Sequence, residues 1–141
     1  LGKLCIAVSH AGIAASLLDG GQTVCSRFQL QFQPNEKAIS TIGPNSEKSG
    51  PLRECCLVMW EEATTSHKYS YECVDRLFRD ITKKTDTVFG GKIFVLCGDF
   101  RQTLPVVKRG KPIDIINSCI KRSYLWFSFP VSKSLKNIQI E

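Results

Sequence analysis

The sequence predicts an α/β protein built on a parallel sheet with helices packed against it. Three observations predict this class. Residues 4–8 (LCIAV), 55–60 (CCLVMW) and 93–97 (IFVLC) are apolar runs too short for helices and rich in strand-forming side chains. Between them lie stretches with helical apolar spacing, so strands alternate with helices. The second and third runs also stop abruptly on polar residues. One ends on Glu61 and Glu62, the other on Gly98 followed by Asp99, Arg101, Gln102 and Thr103. In open α/β sheets ligands bind beyond the carboxyl ends of the strands, which places the chemistry at these two exits. Acids delivered side by side there suit a phosphate and a metal ion.

In chain order, the strand at 4–8 runs into Ser9, His10, Ala11 and Gly12 and then a short helix over 13–18, which Gly20 and Gly21 end. Thr23, Ser26 and Arg27 follow, two hydroxyls and a cation suited to a phosphodiester backbone. His10 is an isolated turn histidine and is given no catalytic role. Residues 28–32 (FQLQF) alternate apolar and polar, the pattern of a half-buried strand. Residues 33–54, with Pro34, Pro44 and Pro51, read as the main loop. A helix is expected over 69–84, its apolar face made by Cys73, Val74, Leu77, Phe78 and Ile81, with Asp75, Arg76, Arg79, Asp80 and Lys83 on the polar side. Phe89, Gly90 and Gly91 turn the chain into the third run. Past a basic turn at 108–111, Pro112 opens a helix carrying Ile113, Ile116, Cys119 and Ile120, with Lys121 and Arg122 at its end. Residues 124–129 (YLWFSF) read as a buried aromatic anchor, and 131–135 as a last strand.

Composition bounds the function. With 141 residues, 43% hydrophobic and 23% charged, the chain suits one globular domain with a core. No apolar run is long enough to cross a bilayer as a helix. The net charge of +6 favours a polyanionic partner. The seven cysteines include no C-x-x-C pair, and neither His10 nor His67 completes a zinc spacing, so buried thiols of a reducing compartment, nucleus or cytoplasm, are expected. The sole methionine is Met59, and Leu1 is expected to lie within a longer protein.

Three stretches together carry a family resemblance: GIAASLL with GGQTVCSRF, then LVMWEEA, then FGGKIFVLCGDFRQTLPVV. In this order they resemble successive motifs of the Pif-type eukaryotic DNA helicases, particularly the copies carried by Helitron transposons. The resemblance implies a partial RecA-like (P-loop NTPase) domain, the first of two, over 1–141, from a superfamily-one helicase moving five-prime to three-prime. It further implies ATP and single-stranded DNA as partners, Mg²⁺ with the ATP, a nuclear location, and family roles in repair, recombination and telomere maintenance, or in transposition. By the same resemblance Gly12, Ile13, Thr23 and Ser26 grip single-stranded DNA. Glu61 holds Mg²⁺, Glu62 orients the attacking water, and Asp99 and Gln102 sense the γ-phosphate.

The chain departs from the family pattern in four places. Glu61 stands where the family has Asp, Cys25 where it has His, and Gln139 where it has Arg. No G-x-x-x-x-G-K-[ST] occurs, and that loop is expected upstream of Leu1. Turnover by the 141 residues alone is therefore not expected. Two further readings stand beside the helicase: a catalytically dead, transposon-derived DNA-binding remnant, and a basic protein-interaction domain on the same scaffold.

Overall fold

A computed structural model describes residues 3–16 and 20–132. Its centre is a four-stranded sheet in the order β2-β1-β3-β4, formed by β1 (Cys5–Ser9), β2 (Gln22–Thr23), β3 (Leu57–Glu61) and β4 (Ile93–Leu96). Every neighbouring pair is parallel. The register aligns the carboxyl ends: Thr23 pairs with Ser9, Ser9 with Glu61, and Trp60 with Leu96. The α/β parallel architecture is therefore as the sequence predicts, with all four strand exits on one side.

The helices are α1 (Gly12–Ser16), α2 (Val24–Phe28), α3 (Ser49–Glu54), α4 (Lys68–Thr82) and α5 (Pro112–Ser118). The longest, α4, starts where the His67 ring accepts the Tyr69 N–H at 3.2 Å, and stops where Lys83 turns left-handed at φ 57°. Its predicted stripe is buried, with Tyr71 added to it. Trp60 of β3 stacks on Tyr71 with centroids 4.2 Å apart, and Phe28 meets Phe78 edge-on at 5.9 Å. Buried aromatic pairs of this kind add about 1 kcal/mol beyond the area they remove from water. Strand β3 is thus clamped to α4 and α2 by one aromatic cluster.

Several expected elements differ. Residues 28–32 form no strand: the Thr23 hydroxyl caps α2 by accepting the Ser26 N–H at 3.1 Å, so the chain is already helical up to Phe28. Gln29 then turns left-handed and Phe32 projects into solvent. The loop at 33–54 ends in α3, anchored by the buried Leu52, so Cys55 caps a helix and β3 begins only at Leu57. Cys5 and Cys56 are exposed rather than buried; Cys55, Cys73 and Cys119 are buried, and all seven thiols are free. Helix α5 begins with Pro112 in its first turn, as expected, and the Asp114 carboxylate accepts the Lys111 N–H at 2.7 Å. It stops at Ser118 because Cys119 is extended, leaving Lys121 and Arg122 in a separate turn and Ile113 and Ile116 exposed. In the aromatic segment Leu125 is buried and Trp126 and Phe129 pack on the core, while Phe127 reaches outward and Tyr124 is half-exposed. The strand expected at 131–135 lies mostly outside the described residues, as does Gln139.

Asp75 is the main correction. Read from sequence as a polar-face residue of α4, it is 1% exposed. Its carboxylate accepts the Phe89 N–H at 2.6 Å, the Arg79 Nε–H at 3.0 Å and the Tyr124 hydroxyl at 2.7 Å. Removing a buried, fully satisfied carboxylate strands its donors, so Asp75→Ala is expected to cost about 3 kcal/mol or more in urea unfolding. Tyr124→Phe, which removes one donor at a half-open position, is expected to cost only about 1 kcal/mol. Equal losses for the two would show that Asp75 is not the hub described.

Candidate functional site

The sheet register brings predicted site residues into one row. Thr23, Ser9 and Glu61 are laterally paired at the ends of β2, β1 and β3, and Cys97 follows β4 beside them. Glu61 continues β3 and is half-buried. Glu62 does not continue it: its backbone turns left-handed at φ 51°, and its carboxylate comes within 3.5 Å of the buried Ser9 hydroxyl, which donates to it. That turn is held by Thr65, whose N–H and hydroxyl both donate to the Glu62 carbonyl, at 3.1 and 2.7 Å. The two acids thus reach the strand exits on different backbone geometries.

The loop after β4 is locked to the loop after β3. Ala63 N–H donates to the Cys97 carbonyl at 2.8 Å, and Cys97 N–H to the Trp60 carbonyl at 2.9 Å. The Thr64 and Thr103 hydroxyls lie 2.5 Å apart and share a hydrogen bond. Gly98 allows this approach, because a Cβ there would meet Thr64 atoms at 2.9 to 3.1 Å. Beyond it the Asp99 carbonyl accepts the Gln102 and Thr103 N–H groups at 3.0 and 3.1 Å, closing a tight turn. Asp99 faces solvent and pairs with Arg101 through both carboxylate oxygens at 3.2 Å. The Arg101 hydrogen bonds hold the Asp99 carboxyl below its ordinary range. Gln102 is exposed, beside the turn rather than inside it. Phe100 anchors the turn from behind, edge-on to Trp126 at 5.9 Å and beneath the Lys121 ammonium at 4.2 Å.

The other predicted cluster gathers at the β1–β2 edge. Gly12 opens α1 with its α-carbon facing Thr23; a Cβ built there would lie 3.9 Å from the Thr23 methyl. Ile13 is 82% exposed, and Ser26 is an exposed residue of α2 capped by Thr23. Gly12, Thr23 and Ser26 are therefore neighbours, and Ile13 follows Gly12 at the surface. The structure joins this cluster to the acids through the paired Thr23, Ser9 and Glu61. Sequence reasoning passed over Ser9 and Thr64, and also His10, whose Nδ1 lies 3.5 Å from the Ser66 hydroxyl. Ser9 had one legible signal, its place at the exit of the first apolar run.

The PIF1-like helicase family matches residues 1–141. The chain belongs to this family. Solved structures agree in fold. The Bacteroides Pif1 helicase in complex with ADP-AlF3 and single-stranded DNA has a TM-score of 0.74 and 26% identity, over 89% of this chain and 30% of that one. The Bacteroides Pif1 complex with ADP-AlF4 gives 0.69 and 28%, over 88% and 30%. The Candida albicans Pif1 helicase gives 0.69 at 21% identity, over 87% and 27%, a likeness of fold alone. No curated protein matches the chain. The chain spans about a third of the length of the solved Pif1 helicases or less. The sheet is accordingly a partial RecA-like α/β domain of the PIF1-like type.

Magnesium prefers a few carboxylate oxygens together with phosphate oxygens and water. Glu61, Glu62 and the Ser9 hydroxyl offer such oxygens, while no group of three or more His, Cys, Asp or Glu residues among those described would hold a metal by itself. The donor set fits an ion carried in with a nucleotide, where it would neutralise phosphate charge, and does not make a free-standing metal centre.

Two outcomes follow from this packing. Gly98→Ala is expected to destabilise the domain by about 1 to 3 kcal/mol in thermal or urea unfolding, since the new methyl would press on the Thr64 side chain and on its backbone nitrogen. An unchanged midpoint would show that the two exit loops are not in contact. The Cys97 thiol is pushed up by burial and further by the neighbouring Glu61 carboxylate, which disfavours the thiolate. Glu61→Gln removes that charge and lowers the Cys97 pKa, so iodoacetamide labelling at Cys97, followed by peptide mass spectrometry, should speed up at a fixed mildly alkaline pH. No change in rate would place Glu61 away from Cys97.

Proposed function

We propose that this chain is part of the first RecA-like domain of an ATP-dependent DNA helicase that moves five-prime to three-prime on single-stranded DNA. One observation carries the reading: the acids at the exit of β3, the Asp99–Gln102 turn after β4 and the Thr23 cluster at β2 all lie at the carboxyl end of one parallel sheet. Phosphoryl transfer requires positioning and charge neutralisation rather than a covalent nucleophile, and a rigid row of oxygens and amides serves both. In this reading Glu61 helps hold Mg²⁺ and Glu62, set back against Ser9, orients the attacking water. Asp99 and Gln102 respond to the γ-phosphate, and their turn is tied through Thr103, Thr64 and Ala63 to the acid strand. Gly12, Ile13, Thr23 and Ser26 bind the single strand, Gly12 by letting a backbone approach closely. Family membership supports the reading, and the solved Bacteroides relative was crystallised with both a nucleotide analogue and single-stranded DNA. The far edge of β4 is unpaired among the described residues, and Ile93 and Val95 on that strand are exposed, which suits further structure of a parent protein there. A nuclear role in repair, recombination, telomere maintenance or Helitron transposition fits the same reading.

Glu61 favours a second reading. The extra methylene moves its carboxylate outward from the position an Asp would occupy, and Mg²⁺ tolerates poor octahedral geometry badly. The chain would then come from a DNA-binding remnant that no longer hydrolyses ATP.

The readings separate by experiment. The isolated chain is expected to bind fluorescent oligo-dT, measured by anisotropy. Gly12→Val together with Ser26→Ala is expected to weaken that binding about tenfold, roughly 0.7 kcal/mol for each of the two positions, without changing unfolding. Wild-type affinity in that variant would remove the DNA cluster from the proposal. In a parent protein that contains a phosphate loop, Glu62→Gln should lower ATP turnover by about 100-fold or more, the scale of a missing general base. If the parent turns over no ATP until Glu61 is changed to Asp, the remnant reading holds.

A further inference from the structure

At the opposite end of the sheet, far from every strand exit, is a cavity of about 460 Å³ that the proposed helicase chemistry does not use. Four cations converge on it from three elements: Arg53 at the end of α3, Lys83 and Lys84 just past α4, and Lys92 at the start of β4. No carboxylate among the described residues lines it. The ion pairs among the described residues are Arg79 with Asp75 and Arg101 with Asp99, so none of the four is neutralised by a described neighbour. Glu54, Asp80 and Asp86 are close in sequence, yet none lines the cavity.

Hydrogen bonds to backbone carbonyls account for two of these cations. Lys92 Nζ donates to the Arg53 carbonyl at 2.5 Å, and the Arg53 guanidinium donates to the carbonyls of Ile81 and Pro44 at 3.4 and 2.5 Å. They do not account for Lys83 and Lys84, which are exposed and donate no side-chain hydrogen bond to a described residue. Gly91, at φ 81°, keeps the wall thin beside Lys84, whose Nζ lies 3.7 Å from where a Cβ would stand. Like charges gathered around one hollow repel unless an anion is placed among them.

We propose that this hollow is a second, non-catalytic phosphate site that takes the phosphodiester backbone of nucleic acid. Its lining contains no aromatic side chain on which a base could stack, so the contact is to phosphates and independent of sequence. The net charge of +6 suits the same partner. A five-residue strand such as β3 is roughly 15 Å long, so this site and the strand exits are separated by at least that distance. A short single strand held at the exits would not reach it. A duplex arm continuing from that strand would.

The test uses the whole chain and two DNA probes: a single strand of about six nucleotides, within one groove's usual span, and the same strand joined to a duplex arm of about 20 base pairs, roughly 70 Å. In the double variant K83Q/K84Q, affinity for the tailed duplex is expected to fall about five- to tenfold. The slope of log affinity against log salt should shrink by about 2, near 0.9 for each phosphate that is no longer neutralised. Binding of the short strand should stay as in wild type. K3Q/K37Q, which removes two exposed charges that do not line the cavity, should leave both probes nearly unchanged. The proposal is overturned if K83Q/K84Q binds the tailed duplex like wild type, if it weakens both probes equally, or if K3Q/K37Q has the same effect. If wild type ignores the short strand but binds the duplex through Lys83 and Lys84, the second site stands and the strand-exit reading fails.

Discussion

The buried carboxylate of Asp75 is the interaction on which the placement of the site depends. It joins three segments that are distant in sequence: the middle of α4, the turn at Phe89 that feeds β4, and Tyr124 at the start of the aromatic segment. A single acid can do this because the two oxygens of a carboxylate accept several hydrogen bonds at once, and here every donor is supplied by a different part of the chain. The Phe89 contact bears most directly on the candidate site. Phe89 and Gly90 both have left-handed backbones, and without a fixed acceptor for the Phe89 amide that turn would have no preferred exit direction. The direction in which β4 enters the sheet sets where Gly98 and Asp99 leave it.

From that anchor the order passes along the sheet to its far end. Phe89 stacks on Phe94 at 3.9 Å, Phe94 meets Phe78 edge-on at 5.2 Å, and Phe78 reaches Phe28 of α2. The same aromatic layer therefore touches the element that delivers the Asp99 turn and the one that carries Ser26. Tyr124 extends the influence of Asp75 another way, since the segment it begins brings Trp126 against Phe100. A loop of polar residues is held in place by apolar contacts behind it, the usual way a rigid scaffold positions a binding loop.

Much of this was legible in the sequence, and the limits have physical causes. Apolar runs of strand length were enough to find β1, β3 and β4, because the strands of a parallel sheet read as continuous hydrophobic blocks, even though one face of β4 leaves Ile93 and Val95 exposed. Helix α4 was legible from its stripe. Residues 28–32 misled because alternation is a local pattern, whereas the N-cap at Thr23 committed the preceding turn to helix before that pattern could act. Asp75 was hidden for a related reason: periodicity separates apolar from polar positions and cannot distinguish a solvated acid from one that finds three donors in the fold. In the candidate site the motif residues were recognisable one by one, but their lateral pairing was not. Only the register shows that Thr23, Ser9 and Glu61 share a row, and only the close approach at Gly98 explains why a glycine precedes Asp99.

Glu62 shows how the local backbone and the proposed chemistry meet. Had β3 continued in extended conformation, successive side chains would have pointed to opposite faces of the sheet, and the two acids would have diverged. The left-handed turn at Glu62 breaks that alternation. For a residue with a β-carbon this conformation costs about 1 to 2 kcal/mol, and Glu lacks the short polar side chain that lets Asn or Asp compensate locally. The surrounding bonds oppose the cost: Thr65 donates twice to the Glu62 carbonyl, Ala63 N–H is fixed by Cys97, and the Tyr71 hydroxyl donates to the Ala63 carbonyl from within the core. A strained residue held by three neighbours is a position the fold maintains against its local preference. Strain of this kind collects at sites where geometry serves function, and here its effect is to turn one acid back toward Ser9 while the other stays in line with the strand. A change of side-chain length is therefore easier for the backbone to absorb at Glu61 than at Glu62. A longer side chain on a regular strand can readjust its rotamer, but the aim of Glu62 is built into the backbone.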